Sequence, residues 1–448
     1  MNDLLSLKAG IYALGGLILL SILHVAYSVF LGPLSKFPGP KLAAATRLYE
    51  QYFDLVLEGR FPWQVEDLHK RYGPIIRIAP DELHINDPAY ATTHFSSAPS
   101  IKSDKYYPHR NRFGIPESTF GTVNSDLHNV RRSAVNPFFS KRSINNLEPM
   151  IRSKVDKVCE HLDRLRASSD VLDLRQLFPC LTADVVTEYL FPESFDFLST
   201  PDLAPGWRKT LDQNLRGSNI LKHYPFLWSV MRSIPDSILL SLAPSLKDTI
   251  KWERNNQRVS KDIVDTYKPN STHQGKKTIF HELLGSDLPP QEKSYERLWQ
   301  EASSIVGAGT ETTANALTII MYYLIAKPNV MARLKEELLE AIPNPDEIPK
   351  EIDLEGLPYL SAVISEGLHK ANGVTNRLIK VATNTDLHYQ GYTIPQGTAV
   401  SMNTMSLQKD PRIFPDPDAF KPERWLGEKT RGDLFCWSRG RRACLGIK

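Results

Sequence analysis

The chain has 448 residues with a formal net charge of +3, 41% hydrophobic and 23% charged. These are the proportions of a folded body with a large core, which excludes a disordered chain and a polytopic membrane protein, and the charge is too small to argue for nucleic acid. Length alone allows about three domains, and the four cysteines, Cys159, Cys180, Cys436 and Cys444, have neither zinc spacing nor a disulfide framework, which favours a reducing compartment.

Ala9 to Leu31 is almost wholly apolar, and its 23 residues are enough to cross a bilayer core of about 30 Å. The run is too long for a signal peptide and leaves through Gly32-Pro33, so it predicts a single uncleaved transmembrane helix. Lys8 alone precedes it, whereas Lys36, Lys41 and Arg47 follow, which places the body in the cytosol and makes the sequon Asn270-Ser271-Thr272 inert. Residues 1–31 are thus read as anchor and 32–448 as the catalytic domain.

Beyond Lys36-Phe37-Pro38-Gly39-Pro40, where the prolines stop any continuing helix, Tyr72–Ile85 reads as two short strands joined by a turn. Helical periodicity dominates 126–330 and predicts helices over Leu147–Arg166, Ser245–Tyr267, Glu296–Ala326 and Asn329–Ala341. The polar run 270–275 reads as a surface loop. The fold class is therefore mainly α with a minor β-sheet, without internal repeats.

Two segments carry chemistry. Trp437 to Gly446 (WSRGRRACLG) sets Cys444 between Gly440 and Gly446 beside Arg442. A thiolate on haem iron pushes electron density onto the metal, glycines let the backbone turn tightly under a flat macrocycle, and an arginine pairs with a propionate. The plain alternative is a buried cysteine in a basic loop. Glu301 to Ala316 (EASSIVGAGTETTANA) places Gly307 and Gly309 mid-helix, a cost that suits a close approach or a bend, with nearby hydroxyls able to take freed carbonyls. Simple close packing is the plain alternative here.

The cysteine segment resembles the ligand loop of the cytochrome P-450 superfamily, with Trp437 where the family has Phe, and the likeness runs from Phe37 to Gly446. The resemblance implies the cytochrome P-450 fold, haem b with Cys444 as axial thiolate and metal ligand, and Trp437, Gly440, Arg442 and Gly446 around it. Ala308-Gly309-Thr310-Glu311-Thr312 matches the oxygen-activation motif, which makes Glu311 and Thr312 catalytic: Thr312 would hydrogen-bond the dioxygen being activated and Glu311 would relay protons. His128, Arg132 and Arg377 fall where the family places propionate partners. Glu366 and Arg424 match two members of a buried triad, while His369 stands where the family has arginine. Losing those donors is expected to weaken the hold on haem, since breaking a buried charge pair typically costs about 3–5 kcal/mol.

Gly114–Thr122 and Val135–Ile144 are similar to fungal secondary-metabolism members of the trichodiene oxygenase kind, and the substrate-facing loop would lie near Ile101–Thr122. The family implies a haem monooxygenase acting on an apolar small molecule with O2, fed by an NADPH-cytochrome reductase through the basic residues Lys429, Arg431, Arg439, Arg441 and Arg442. It also implies residence in the endoplasmic reticulum membrane, in contact with lipid. The family carries a further helix after the cysteine, whereas this sequence stops at Lys448. A C-terminally incomplete fold that holds haem poorly is therefore expected, and the alternative function is a non-catalytic membrane-bound binding protein.

Overall fold

The computed structural model describes residues 2–96, 101–166, 171–268, 278–344, 349–427 and 434–447. The sequon, the polar run 270–275, Lys429 and Arg431 lie outside them. The chain divides into two compact units, one of Met1–Tyr106 with Asn376–Ser406, the other of Tyr107–Thr375 with Leu407–Lys448.

The first unit opens with α1, Asn2–Ala26, continued by a wider turn over Tyr27–Leu31. Gly10–Leu31 has a mean hydropathy of 2.1 and is hardly buried, and at 1.5 Å per residue it spans about 33 Å. Gly32 ends the helix in an extended conformation, as the Gly-Pro exit requires. Arg77 then ties the helix end to the sheet by donating to the Ser28 carbonyl at 2.7 Å and the Ser28 hydroxyl at 2.8 Å. Gly39 has a φ of +147° and lies against Arg77, where a Cβ would meet the Arg77 carbonyl oxygen at 2.4 Å, so no larger residue fits.

The sheet of this unit runs β1 (Ile75–Ala79), β2 (Glu82–Ile85), β3 (Ser103–Lys105), β4 (Leu378–Ala382) and β7 (Ala399–Met402) in the order β1-β2-β7-β4-β3. A separate hairpin joins β5 (Leu387–Tyr389) to β6 (Tyr392–Ile394). The strands expected over Tyr72–Ile85 are β1 and β2, an antiparallel pair with Ile75 opposite Ile85. Every residue of both strands is buried.

The second unit is helical. In chain order it contains α2 (Ser125–Val135), α3 (Glu148–Arg166), α4 (Leu174–Leu190), α5 (Pro205–His223), α6 (Lys247–Thr266), α7 (Ile279–Gly285), α8 (Tyr295–Ala326), α9 (Pro328–Ala341) and α10 (Pro358–Ala371). The four expected helices are α3, α6, α8 and α9, displaced by no more than two residues at either end. Asn124 caps α2 by accepting from the Asp126 and Leu127 amides at 3.0 and 2.9 Å. The core joins Leu298, Ala302, Ile305 and Val306 of α8 to Ala183 and Leu190 of α4, Leu211 of α5 and Phe280 of α7. α8 is thus a buried axle at its N-terminal half.

Candidate active site

Midway along α8 the burial stops. Leu298 to Val306 is almost continuously buried, but Gly307, Ala308, Thr312 and Thr313 are exposed on one side, while Thr310 on the opposite side is fully buried. The two glycines therefore serve different ends. A Cβ at Gly309 would stand 3.2 Å from Val186 of α4, so that glycine permits close helix packing; a Cβ at Gly307 would meet nothing within 4 Å. Hydroxyls take up local carbonyls as the sequence suggests: Thr312 donates to Ala308 at 2.8 Å, and Thr182 of α4 donates to the Thr310 carbonyl at 2.9 Å. Gly373, just past α10, faces Thr312 across the open side.

Glu311 is half-buried and is held by a residue that motif reading does not reveal. Arg208 of α5 donates to both Glu311 oxygens, at 3.3 and 3.1 Å, and also binds Asp212. Burial raises the Glu311 pKa above the usual carboxylate range, and Arg208 partly offsets that. The signal for Arg208 was weak, since an i,i+4 Arg–Asp pair on a helix is ordinary surface chemistry.

The cysteine loop turns through Ser438 and Gly440, both with positive φ, at 57° and 75°. The Gly440 glycine is thus required by backbone conformation, as the sequence implies. The Cys444 amide donates to the Trp437 carbonyl at 2.8 Å and closes the loop. Leu445 packs against the core cluster containing Ala302, Ile305 and Val306, which fastens the loop to the α8 region. Burial raises the Cys444 thiol pKa even though the residue reaches solvent, while the Gly446 amide and Arg132 draw it down. All four cysteines are free.

Arg132 supports this loop directly: it donates to the Ala443 carbonyl at 2.7 Å and contacts the Cys444 carbonyl at 3.5 Å. Its neighbour on the same helix face, His128, is buried. Arg442 donates to the Thr122 and Val123 carbonyls, each at 2.9 Å, which joins the loop to the segment before α2. That segment is itself wired to α8. Thr119 donates from both amide and hydroxyl to Glu301 at 2.8 Å, the Glu117 amide donates to Gln300 at 2.7 Å, and Arg131 reaches the Thr122 hydroxyl and Glu292. The stretch expected to be a substrate-facing loop is at Glu117–Thr122 a braced connector.

Two of the expected residues have partners that the motifs do not name. Arg377 is buried between Glu82 and Glu50, with its Nη2 at 2.9 and 2.8 Å from them and its guanidinium over the Phe61 ring. Its charge is balanced within its own unit. Glu366, expected to lose the donors of an arginine at 369, has others. Glu366 is fully buried and accepts from the Lys421 amide at 2.7 Å and the Trp425 indole at 2.6 Å, with Arg424 Nε at 3.1 Å. His369 is buried beside it but neutral, its pKa pushed down to about 4 chiefly by burial. Of the basic residues around the loop, among the described members Arg442 is engaged, Arg439 lies over the Phe435 ring, and Arg441 is exposed.

The residues fit a flat iron macrocycle. They offer one thiol on a tightly turned loop with cationic support, and an open, small-residue helix face with a hydroxyl and a carboxyl. The fold is a mainly helical body in which one unit carries both the Cys444 loop and the open face of α8.

The cytochrome P450 family model matches residues 51–448, and the chain belongs to that family. It is similar to the cytochrome P450 monooxygenase MO6277 of Ascocoryne sarcoides, with 40% identity over 97% of this chain and 87% of the relative. Tryptophan 6-hydroxylase fscE of Fusarium equiseti shares 37%, over 94% and 83%, and cytochrome P450 monooxygenase TRI4 of Fusarium sporotrichioides shares 37%, over 94% and 81%. The expected likeness to fungal monooxygenases therefore holds, and with it the class of oxidoreductase.

Proposed function

We propose that this chain inserts one oxygen atom from O2 into a largely apolar small molecule of fungal secondary metabolism, a terpenoid being one such class. The balance is RH + O2 + 2 electrons + 2 protons giving ROH and water, with electrons from an NADPH-cytochrome reductase. The observation that carries this reading is one unit holding both the Cys444 loop and the open α8 face with Thr312 and Glu311. One relative's name records hydroxylation of tryptophan, so the substrate is assigned no more closely than this. The apolar helix Gly10–Leu31 supports a single-pass anchor, here assigned to the endoplasmic reticulum with the body in the cytosol.

Haem b, bound through the Cys444 thiolate, would supply the electron-transfer and O–O cleaving chemistry. The chain's residues do the rest. Cys444 would hold the group as a thiolate, and Arg132 with the Gly446 amide favours that charge. His128, Arg442 and Trp437 are assigned to the macrocycle's edge and lower wall. The Glu311 carboxyl, its pKa raised by burial, holds and passes a proton, while the Thr312 hydroxyl, on the exposed side of α8, would turn its one proton from the Ala308 carbonyl to the open face. A non-catalytic binding protein is not favoured, since the similar proteins are named monooxygenases and Glu366 keeps donors despite His369.

The test is spectroscopic. The purified full chain should give a thiolate-type absorption for the reduced carbon monoxide complex, Cys444→Ala should abolish it, and Thr312→Ala should keep it while diverting electrons to peroxide. An unchanged spectrum in Cys444→Ala overturns the ligand assignment. Equal product per electron in Thr312→Ala overturns the proton role.

A further inference from the structure

α8 and α4 cross at the turn that precedes Glu311. A Cβ on Gly309 would stand 3.2 Å from Val186, and Thr182, one turn before Val186 on α4, reaches the Thr310 carbonyl with its hydroxyl at 2.9 Å. Thr182 is buried, and its oxygen lies equally close, at 2.9 Å, to the Phe178 carbonyl of its own helix. A hydroxyl has one proton to give, so Thr182 divides it between two helices. A threonine inside a helix ordinarily bonds back to the carbonyl four residues before it, as Thr312 does to Ala308 and Thr318 to Ala314, both at 2.8 Å. Thr310, at the same crossing, is fully buried and its hydroxyl has no partner, so the hydroxyl bridge between the helices is made by Thr182.

We propose that Thr182 is a positioning residue for Glu311 and Thr312, acting through the Thr310 carbonyl; the inference rests on the proton-transfer reading of that pair. The Thr310 carbonyl and the Glu311 nitrogen belong to one planar peptide unit. A tilt of that carbonyl therefore turns the Glu311 N–Cα bond, and with it the directions in which the side chains at 311 and 312 leave the helix. The same oxygen serves the ladder of α8, which runs on through this turn from Tyr295 to Ala326. A second donor arriving from outside draws the carbonyl off the helix axis and bends the turn toward α4. Arg208 of α5 holds the Glu311 carboxylate separately, at 3.1 and 3.3 Å. α4 thus sets the main chain at Glu311 while α5 sets its carboxylate.

The experiment compares Thr182→Val, which keeps the shape and loses the hydroxyl, with Thr182→Ser, which keeps the hydroxyl, in the haem-loaded full chain in detergent. Three quantities are read: the unfolding midpoint, deuterium uptake at the amides of residues 311–316, and the ratio of peroxide to water formed from O2. The last is measured without substrate, with NADPH and an NADPH-cytochrome reductase, and reports how well protons reach the reduced oxygen. Thr182→Val should move the midpoint little and should slow uptake at 311–316, because the Thr310 carbonyl returns undivided to the ladder of α8. It should raise the peroxide ratio about two- to tenfold, the factor that one neutral hydrogen bond commands. Thr182→Ser should match the unsubstituted chain in all three. Uptake and ratio unchanged in Thr182→Val, or altered equally in Thr182→Ser, overturn the proposal. Thr312→Ala separates the two readings: a raised ratio there with none in Thr182→Val removes the positioning role alone. If Thr312→Ala leaves the ratio unchanged, or the chain consumes no NADPH without substrate, uptake decides, and equal uptake in Thr182→Val and the unsubstituted chain overturns the proposal.

Discussion

Two buried carboxylate sites, one in each unit, reach electrical balance by different routes. In the first unit one guanidinium, Arg377, lies closest to both Glu82 and Glu50, with Arg47 further off at 3.3 Å from Glu50 and 3.9 Å from Glu82, and Arg377 and the two carboxylates are almost fully buried. In the second unit one carboxylate, Glu366, draws on a backbone amide, an indole and a guanidinium. Concentrating two charges on one partner makes that partner indispensable. Spreading donors over several groups makes each of them partly replaceable, which is how a chain with histidine at 369 keeps its buried carboxylate paired.

The largest expected effect follows from the concentrated site. Arg377→Met leaves Glu82 and Glu50 buried with the more distant Arg47 and, on Glu82, the Ser401 hydroxyl at 2.7 Å, and should cost about 3–5 kcal/mol in stability, read from denaturant or thermal unfolding. A cost below that of disturbing Glu366 would reverse the comparison.

Acid sensitivity comes next. The His369 pKa is about 4 in the folded chain against 6.5 for the free group, so the fold favours neutral imidazole. Its full contribution is present above about pH 6.5 and is lost as pH falls toward 4, amounting to about 3 kcal/mol. His69, buried in the first unit, is shifted the same way to about 4. Unfolding midpoints between pH 7 and 4 should therefore fall less steeply in His369→Gln than in the unsubstituted chain, and an identical slope would remove His369 from the account.

Glu366→Gln should be milder, about 1–3 kcal/mol, because the amide oxygen still accepts from one neighbour while its NH2 faces a donor. The smallest effects belong to the α8 glycines. Gly307→Ala meets open space and should raise stability by about 1 kcal/mol through helix propensity, whereas Gly309→Ala should lose that gain against Val186. Equal midpoints for the two variants would show that the open and packed sides of α8 do not differ as described.

Much of this was legible beforehand, and the legible parts share a cause. Helices α3, α6, α8 and α9 and strands β1 and β2 follow from periodicity, which depends on neighbours a few residues away. The Ser438–Gly440 turn and the Thr312 back-bond to Ala308 are equally local. The partners of Arg377 were not legible because they lie about 300 positions away in the sequence, where no spacing rule reaches. Arg208 was missed for the same reason, its partner Glu311 lying 103 residues on. Trp425 had a signal that went unused: an indole next to Arg424 carries one donor that must be paired when buried.

What the sequence by itself determined is the helical class with its small sheet, the apolar span, the family and the identity of Cys444, Glu311 and Thr312 as the residues to examine. Each of these rests on composition, short-range periodicity or residue order. Only the tertiary structure decided which donors each charge receives: Glu366 from Trp425 and Lys421, Arg377 with Glu82 and Glu50, Arg442 with the Thr122 and Val123 carbonyls. The physical reason is that a buried polar group takes whichever partner the packing of distant segments brings within about 3 Å, and that proximity is a property of the folded chain.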